Sequence, residues 1–323
     1  MEKFKLILSP FRSIQENLAL EQFFMMQEGN FLILYKNQNC IVIGRNQVCY
    51  SEIALKEQQY QKISIFRRYS GGGTVFLDEG TLNYAFISDY NCEKCSYSFY
   101  NKIIIQVLAK IGFKNIIEKG CNINHEDLKI SGTAQYKRKN RFIHHGTLLV
   151  DANLLLLESV LFQSGSYKTK AKKSEPVKTG NLIRIIPAFT MEEFENCFRS
   201  VLNNEYCKSL IELTPNVFDC VTKRKTEFED KSWTFGNSPY YEFSNEIILP
   251  DGSNFKVFFE VKNGKVTNQF FSKNNPFPKV DFIGNFHSFD DFSPIIYDAI
   301  GKSTSIAEVD NICFQFFNSE RRA

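Results

Sequence analysis

The stretch "FRRYSGGGTVFLDEGTLNYAF", residues 66–86, sets two arginines and three glycines directly before an apolar segment. Gly71, Gly72 and Gly73 lack Cβ, so the main chain can reach positive φ and let another molecule come close. Successive backbone N–H groups in such a turn form an anion-binding concavity. Arg67 and Arg68 add forked, permanently charged donors that match carboxylate or phosphate. A tight hairpin with surface arginines would carry the same letters. No Gly-Lys-Ser/Thr follows, so the turn is not a P-loop. An anion site is expected here, with the anion left open by this stretch alone.

The chain has 323 residues, enough for one large domain or two unequal ones. Its 43% hydrophobic and 23% charged residues are ordinary for a globular protein. A net charge of +3 excludes a bulk binder of nucleic acid or membrane surface and confines any basic patch to a local one. Nine cysteines lie scattered without a framework. The apolar run after Met1–Lys5 is too short for a secretory segment, and "NKIIIQVLAKIGF" is interrupted by Gln106 and Lys110. A reduced, cytoplasmic compartment with free thiols is expected. Cys92 and Cys95 have metal-ligand spacing, but no second pair completes a zinc site, so no protein metal centre is expected.

Outward from the glycine turn, "FLILY" and "CIVIG" read as buried strands and "SIQENLALEQFFMMQE" as a helix with Ile14, Leu18, Phe23 and Met26 on one face. A polar helix, "SEIALKEQQYQK", precedes the strand "ISIF", and a long amphipathic helix at "SFYNKIIIQVLAKIGF" stops near Gly112. "DLKISGTAQYKRKN" and "RFIHHGTLLVDANL" are strand-like. The lysine-rich "SGSYKTKAKKSEPVKTGN" predicts an exposed, mobile loop. Thr190 with Glu193 forms a capping box that opens a helix. After "DKSWTFGNSPYYEF", Asp251-Gly252 and Asn263-Gly264 mark two hairpin turns, and helical sequence closes the chain from Phe289 to Phe317.

Four stretches, "IQENLALEQFF", "VIGRNQ", "RRYSGGGTVFLDEGTLNY" and "KISGTAQ" with "HHGTLL", resemble in order and spacing the lipoate–protein ligases of the biotin/lipoate ligase superfamily. The resemblance runs over nearly the whole chain and extends to "SWTFGNSP" and the hairpin-rich unit behind it. It implies an α+β fold: a large mixed-sheet catalytic domain with flanking helices over residues 1–236, a linker at 237–242, and a small C-terminal α/β accessory domain over 243–323. It implies ATP with Mg2+ as cofactors and lipoate as substrate. Lipoate attacks the α-phosphate to give lipoyl-AMP and pyrophosphate, and a lysine of a lipoyl domain then takes the acyl group. The implied acceptors are lipoyl domains of 2-oxoacid dehydrogenase acyltransferase subunits and the glycine-cleavage H protein. A monomer is expected, with no nucleic acid and no membrane as partner.

The matching positions assign nucleotide or adenylate contacts to Arg68, Ser70, Gly71, Gly72, Gly73, Thr74, Val75, Phe76, Asn122, Lys129 and Gly146, with Arg67 a weaker candidate. Lys129, which opens "KISGTA", is the expected catalytic residue: a fixed ammonium offsets charge that builds on the α-phosphate and the acyl oxygen. His144 and His145 are expected to support the site by packing or hydrogen bonds. Asn46 and Asp78 are expected near the pocket, and Lys172, Lys173 and Lys178 are expected to close over the nucleotide. Three residues depart from the family pattern. Leu77 replaces the histidine common after the glycine strand, and the family's Gly-Arg-Asn-Asp element is reduced to Gly120, Cys121, Asn122 and Ile123, with Cys121 in place of the arginine and Ile123 in place of the acid. Two alternatives stay open. One is an ATP-independent octanoyl or lipoyl transferase using a cysteine such as Cys40, Cys49 or Cys121. The other is a non-catalytic binding protein on this fold.

Overall fold

The computed structural model describes residues 3–91, 95–187, 189–277, 279–300 and 304–317. Cys92, half of the cysteine pair, lies outside them. The chain begins with β1 (Phe4–Leu8), α1 (Ile14–Phe24), β2 (Phe31–Tyr35), β3 (Cys40–Ile43), α2 (Leu55–Tyr60), β4 (Ser64–Arg67), β5 (Val75–Leu77) and β6 (Thr81–Asp89). Next come α3 (Tyr97–Ile111), β7 (Ile116–Lys119), β8 (Asn122–His125), β9 (Leu128–Arg138), β10 (Arg141–Leu149), α4 (Leu154–Val160) and β11 (Tyr167–Thr169). The remainder is α5 (Met191–Tyr206), β12 (Cys207–Ile211), α6 (Pro215–Glu229), α7 (Lys231–Thr234), β13 (Tyr241–Ile248), β14 (Asn254–Lys262), β15 (Lys265–Phe271), α8 (Phe289–Ile300) and α9 (Ile306–Gln315).

Local chemistry sets the element ends. Ser13 caps α1 and Ser96 caps α3, each accepting a backbone N–H of the first turn, and Gly112 closes α3 at φ +114°. The Thr190–Glu193 capping box forms as expected. The β14–β15 turn uses Asn263 and Gly264 at φ +52° and +71°, the two left-handed positions of a tight hairpin. Helix α1 ends earlier than its sequence suggests. Met25 is buried and Met26 is exposed, and the buried face runs through Ile14, Leu18 and Glu21.

A mixed eight-stranded sheet has the order β12-β1-β2-β6-β10-β9-β8-β7, parallel across β12-β1-β2 and antiparallel from β2 onward. Strand β6 shows why both faces are covered. Leu82, Tyr84 and Phe86 enter the core under α3 and α5, while Ala85 and Ile87 enter the core under α1 and α6. A three-stranded sheet, β4-β3-β5, lies against the second core through Val42, Phe66 and Leu77. Its other side, with Ile41, Ile43 and Phe76, joins a third core that holds Phe243, Phe259 and Phe317 of the C-terminal sheet and helices. That sheet, β11-β13-β14-β15, takes its edge strand from the lysine-rich segment, where Tyr167 pairs with Phe243. The segment is therefore anchored by a buried tyrosine rather than free, a difference that composition cannot reveal. This arrangement of a mixed sheet with segregated helices is the α+β class expected.

Candidate functional site

Strand β4 ends at Arg67 and Arg68 follows it directly, so the two side chains leave the chain on opposite sides. Arg67 turns inward, fully buried. Its Nη1 donates to the carbonyls of Gly44, Arg45 and Gln47 at 3.0, 2.9 and 2.8 Å, and its other nitrogens reach Thr234 O and Ser238 Oγ. It fastens the chain beyond α7 and does not face the cavity, so its expected ligand role is corrected to a structural one. Arg68 serves the glycine turn from within. Nη2 donates to Gly71 O and Gly73 O at 2.6 and 2.7 Å, Nη1 to Val42 O, and Nε to Ser70 Oγ. Burial pulls its pKa down to about 10, which leaves it charged at neutral pH. Among the three glycines only Gly72 adopts positive φ, +89°.

Against this turn lies a cavity of two adjoining lobes. One, of about 200 Å3, ends among Ile14, Leu18, Tyr35, Val42 and Leu77. The other, of about 490 Å3, is walled by Phe76, Leu149, Leu157, Leu161, Phe162 and Pro176. Thr74, Val75, Lys129, Gly132, Thr147 and Ser174 line both. Lys129 thus stands at the junction. A Cβ at residue 132 would lie 2.9 Å from Lys129 Nζ, so the glycine of "KISG" leaves the space the lysine crosses. Burial, with Arg68 adding to it, lowers the Lys129 pKa below the ordinary lysine value.

A strap built from the lysine-rich segment covers the junction. Lys129 N donates to Lys178 O and Gly180 N donates to Lys129 O, at 2.9 and 3.0 Å. Ser174 Oγ accepts Thr74 N–H at 3.0 Å and a Gln47 side-chain N–H at 3.1 Å, while Ser174 N donates to Glu52. Burial of Glu52 raises its pKa.

Of the expected residues, Arg68, Gly72, Gly73, Thr74, Val75, Asn122, Lys129 and Gly146 line the smaller lobe and Phe76 the larger one. Lys172 and Lys173 also line the smaller lobe, and Cys121 stands on its wall as an exposed free thiol. Ser70 is buried beneath the turn, 1% exposed, and neither it nor Gly71 lines a lobe. The space at Gly146 is taken by Tyr84, whose hydroxyl would be 2.4 Å from a Cβ there, rather than by a ligand. Asn46 is exposed, and its neighbour Gln47 makes the contacts to Thr74 and Ser174. Asp78 accepts from Thr81 Oγ1 and Asn153 N and holds a turn. His144 stacks on Tyr100 at 4.9 Å with its pKa lowered to about 3 by burial, whereas His145 faces the smaller lobe. Cys40 and Cys49 are buried thiols with raised pKa values. Glu52 and Ser174, which line the larger lobe, were not legible as site residues, nor was Glu21, which contacts His145 Nδ1. The one signal for Glu21 is its place seven residues after Ile14 on an apolar helical face.

An apolar lobe, a second lobe and a lysine at their meeting point define an enzyme site suited to joining an acyl chain to an anionic co-substrate. The signature of the lipoyl protein ligase A/B catalytic domain matches residues 13–203, more than half of the chain. The chain belongs to this family. It is 30% identical over 260 residues to lipoate-protein ligase LplJ of Bacillus subtilis, covering 77% of this chain and 78% of that one. Its fold is similar to that of P. falciparum LipL1 in complex with lipoate, with TM-score 0.61 and 22% identity over 96% of this chain and 98% of that one. A second likeness in fold is to lipoate-protein ligase A bound with ATP, with TM-score 0.59 and 20% identity over 72% of this chain and 98% of the other.

Proposed function

We propose that this enzyme is an ATP-dependent lipoate–protein ligase that holds lipoate in the smaller lobe and ATP in the larger one. The observation that carries the assignment is Lys129, which lines both lobes. The end formed by Ile14, Leu18, Val42 and Leu77 suits an apolar acyl tail and leaves the carboxylate at Lys129 and the glycine turn. A carboxylate oxygen attacks the α-phosphorus, the bond to the β-phosphate oxygen breaks, and pyrophosphate leaves with the electron pair. The amine of an acceptor lysine then attacks the acyl carbon, and AMP departs. The amine proton passes to a phosphate oxygen or water. In both steps the Lys129 ammonium faces the oxygen on which charge grows, an effect worth roughly 3 to 4 kcal/mol for one well-placed donor. The Thr74 N–H supplies a second donor once Ser174 moves aside.

Magnesium bound to a nucleotide keeps phosphate and water ligands and needs only one or two carboxylates. Glu52, Glu158 and Glu175 line the larger lobe and fit that donor set. The ion would offset phosphate charge there.

The acceptors we propose are lipoyl domains of 2-oxoacid dehydrogenase acyltransferase subunits and the glycine-cleavage H protein. We take residues 1–236 as catalytic and 243–323 as an accessory domain beyond a short linker, in a monomer. Free thiols at the described cysteines fit a cytoplasmic enzyme. Separately, no described helix is long and apolar enough to cross a membrane. Exchange of labelled pyrophosphate into ATP tests the assignment: label should enter ATP only when lipoate is present. Acyl transfer to an acceptor without ATP would instead indicate a transferase, with Cys121 on the lobe wall as its nucleophile.

A further inference from the structure

Beneath the glycine turn runs a buried chain of polar side chains that the two steps above do not employ. The Tyr35 hydroxyl donates to Glu21 Oε1 at 2.8 Å. The Glu21 carboxylate oxygens lie 3.0 and 3.1 Å from His145 Nδ1. His145 Nε2 is 2.7 Å from Ser70 Oγ, and Ser70 Oγ accepts Arg68 Nε–H at 2.9 Å. Glu21 and Ser70 are each 1% exposed.

The donors and acceptors order themselves. A carboxylate only accepts, so Nδ1 carries the ring proton. Nε2 then shares a hydrogen bond with the Ser70 hydroxyl, and a Ser70 lone pair receives Arg68. A serine, a histidine and an acid in this sequence is also the arrangement of a nucleophilic triad. Here it cannot act as one, because Ser70 lines neither lobe and its oxygen is tied to a guanidinium.

We propose that Glu21, His145 and Ser70 are positioning residues that fix the Arg68 guanidinium and, through it, the shape of the glycine turn. The far end of that guanidinium grips Gly71 O and Gly73 O, which leaves Thr74 N–H turned toward the junction. Glu21 also shares one face of α1 with Ile14 and Leu18, which line the smaller lobe. The helix that touches the acyl end is therefore tied through two side chains to the turn that meets the anion.

This inference rests on the ligase assignment only for its activity readout. 15N NMR of the unliganded wild-type protein, with His145 assigned by its loss in His145→Gln, reads the ring directly. The expected result is a proton on Nδ1, the nitrogen that faces a group able only to accept; an Nδ1 without a proton overturns the relay whatever the substrate is. In lipoate-dependent pyrophosphate exchange, Glu21→Gln is expected to lower kcat at least about tenfold with KM for lipoate changed less than about threefold. Adding Glu21→Gln to Arg68→Lys is expected to cost no more than about twofold beyond Arg68→Lys alone, because both act through one group. Losses that multiply in the double variant, or a kcat for Glu21→Gln within about twofold of wild type, overturn the proposal. If wild type itself shows no exchange, the ligase assignment fails while the tautomer still decides the relay.

Discussion

Lys129 reaches the junction because residue 132 has no side chain in its path. Gly132→Ala should therefore displace the ammonium while leaving the strand paired. The exchange rate should fall at least about tenfold with little change in thermal midpoint, and normal activity would refute the crossing. Lys129→Ala should fold normally and lose about a hundredfold or more in both adenylation and transfer. The ammonium must be protonated to offset growing negative charge, and burial has lowered its pKa. As pH rises through that lowered value the charge is lost, so the alkaline limb of kcat/KM should lie below the ordinary lysine value of 10.5. A limb at or above 10.5 would contradict the burial argument. Lys129 was legible in the sequence because its motif carried it. Arg68 was ranked above Arg67 there only by the matching positions of the family, and His144 and His145 were not separable. Neighbouring residues leave an extended chain on opposite sides, one toward the site and the other toward the interior, and which is which depends on the elements facing them.

The strap between β11 and α5 is the element whose sequence misled most. Its lysines and Pro176 describe a solvated loop, yet Tyr167 enters a core and Ser174 sits on the glycine turn. Both facts depend on partners more than seventy residues away. In the unliganded protein the Ser174 hydroxyl holds the Thr74 N–H that an anionic oxygen would take. Removing it should make the nucleotide's entry easier. One hydrogen bond contributes about 0.5–1.5 kcal/mol net, so Ser174→Ala should lower KM for ATP roughly twofold to tenfold. An unchanged or raised KM would show that the strap does not compete with nucleotide. Helix starts were better legible than sheet edges. Thr190 caps as its sequence indicates, and Ser13 and Ser96 cap in the same way, because capping is settled within one turn. The hairpin of β7 and β8 was missed. Its turn, Gly120 and Cys121, coincides with the reduced Gly-Arg-Asn-Asp element, of which Cys121 and Asn122 stand on the lobe wall.

At the scale of the whole molecule, the strap connects chemistry to architecture. Its first residues are an edge strand of the C-terminal sheet, and its middle covers the junction. Displacement of Ser174 by nucleotide is therefore expected to be felt at β11 through the strap. The same C-terminal unit packs on the small sheet, where Ile41, Ile43 and Phe76 share a core with Phe243, Phe259 and Phe317, and beside it the Tyr50 and Phe317 ring centroids are 5.0 Å apart. Formation of lipoyl-AMP should shift this unit by ordering the glycine turn and the strap around the adenylate, since a ligand moves a conformational equilibrium only as far as it favours one state over the other. Small-angle scattering should report a changed radius of gyration with a non-hydrolysable lipoyl-AMP analogue but not with ATP alone. An unchanged profile would make the C-terminal unit a static surface. The α+β class came with the family resemblance, and the hairpin-rich C-terminal unit was legible from turn and strand signals. The shared core was not, because residues 41–43 and 243–317 carry no local mark of each other. The most direct measurement is a gel-shift lipoylation assay on a purified lipoyl domain with wild-type and Lys129→Ala protein, with and without ATP. The account predicts modification by the wild type only with ATP and lipoate together, and none by the variant on the same timescale. Modification without ATP, or at the wild-type rate by Lys129→Ala, would contradict it.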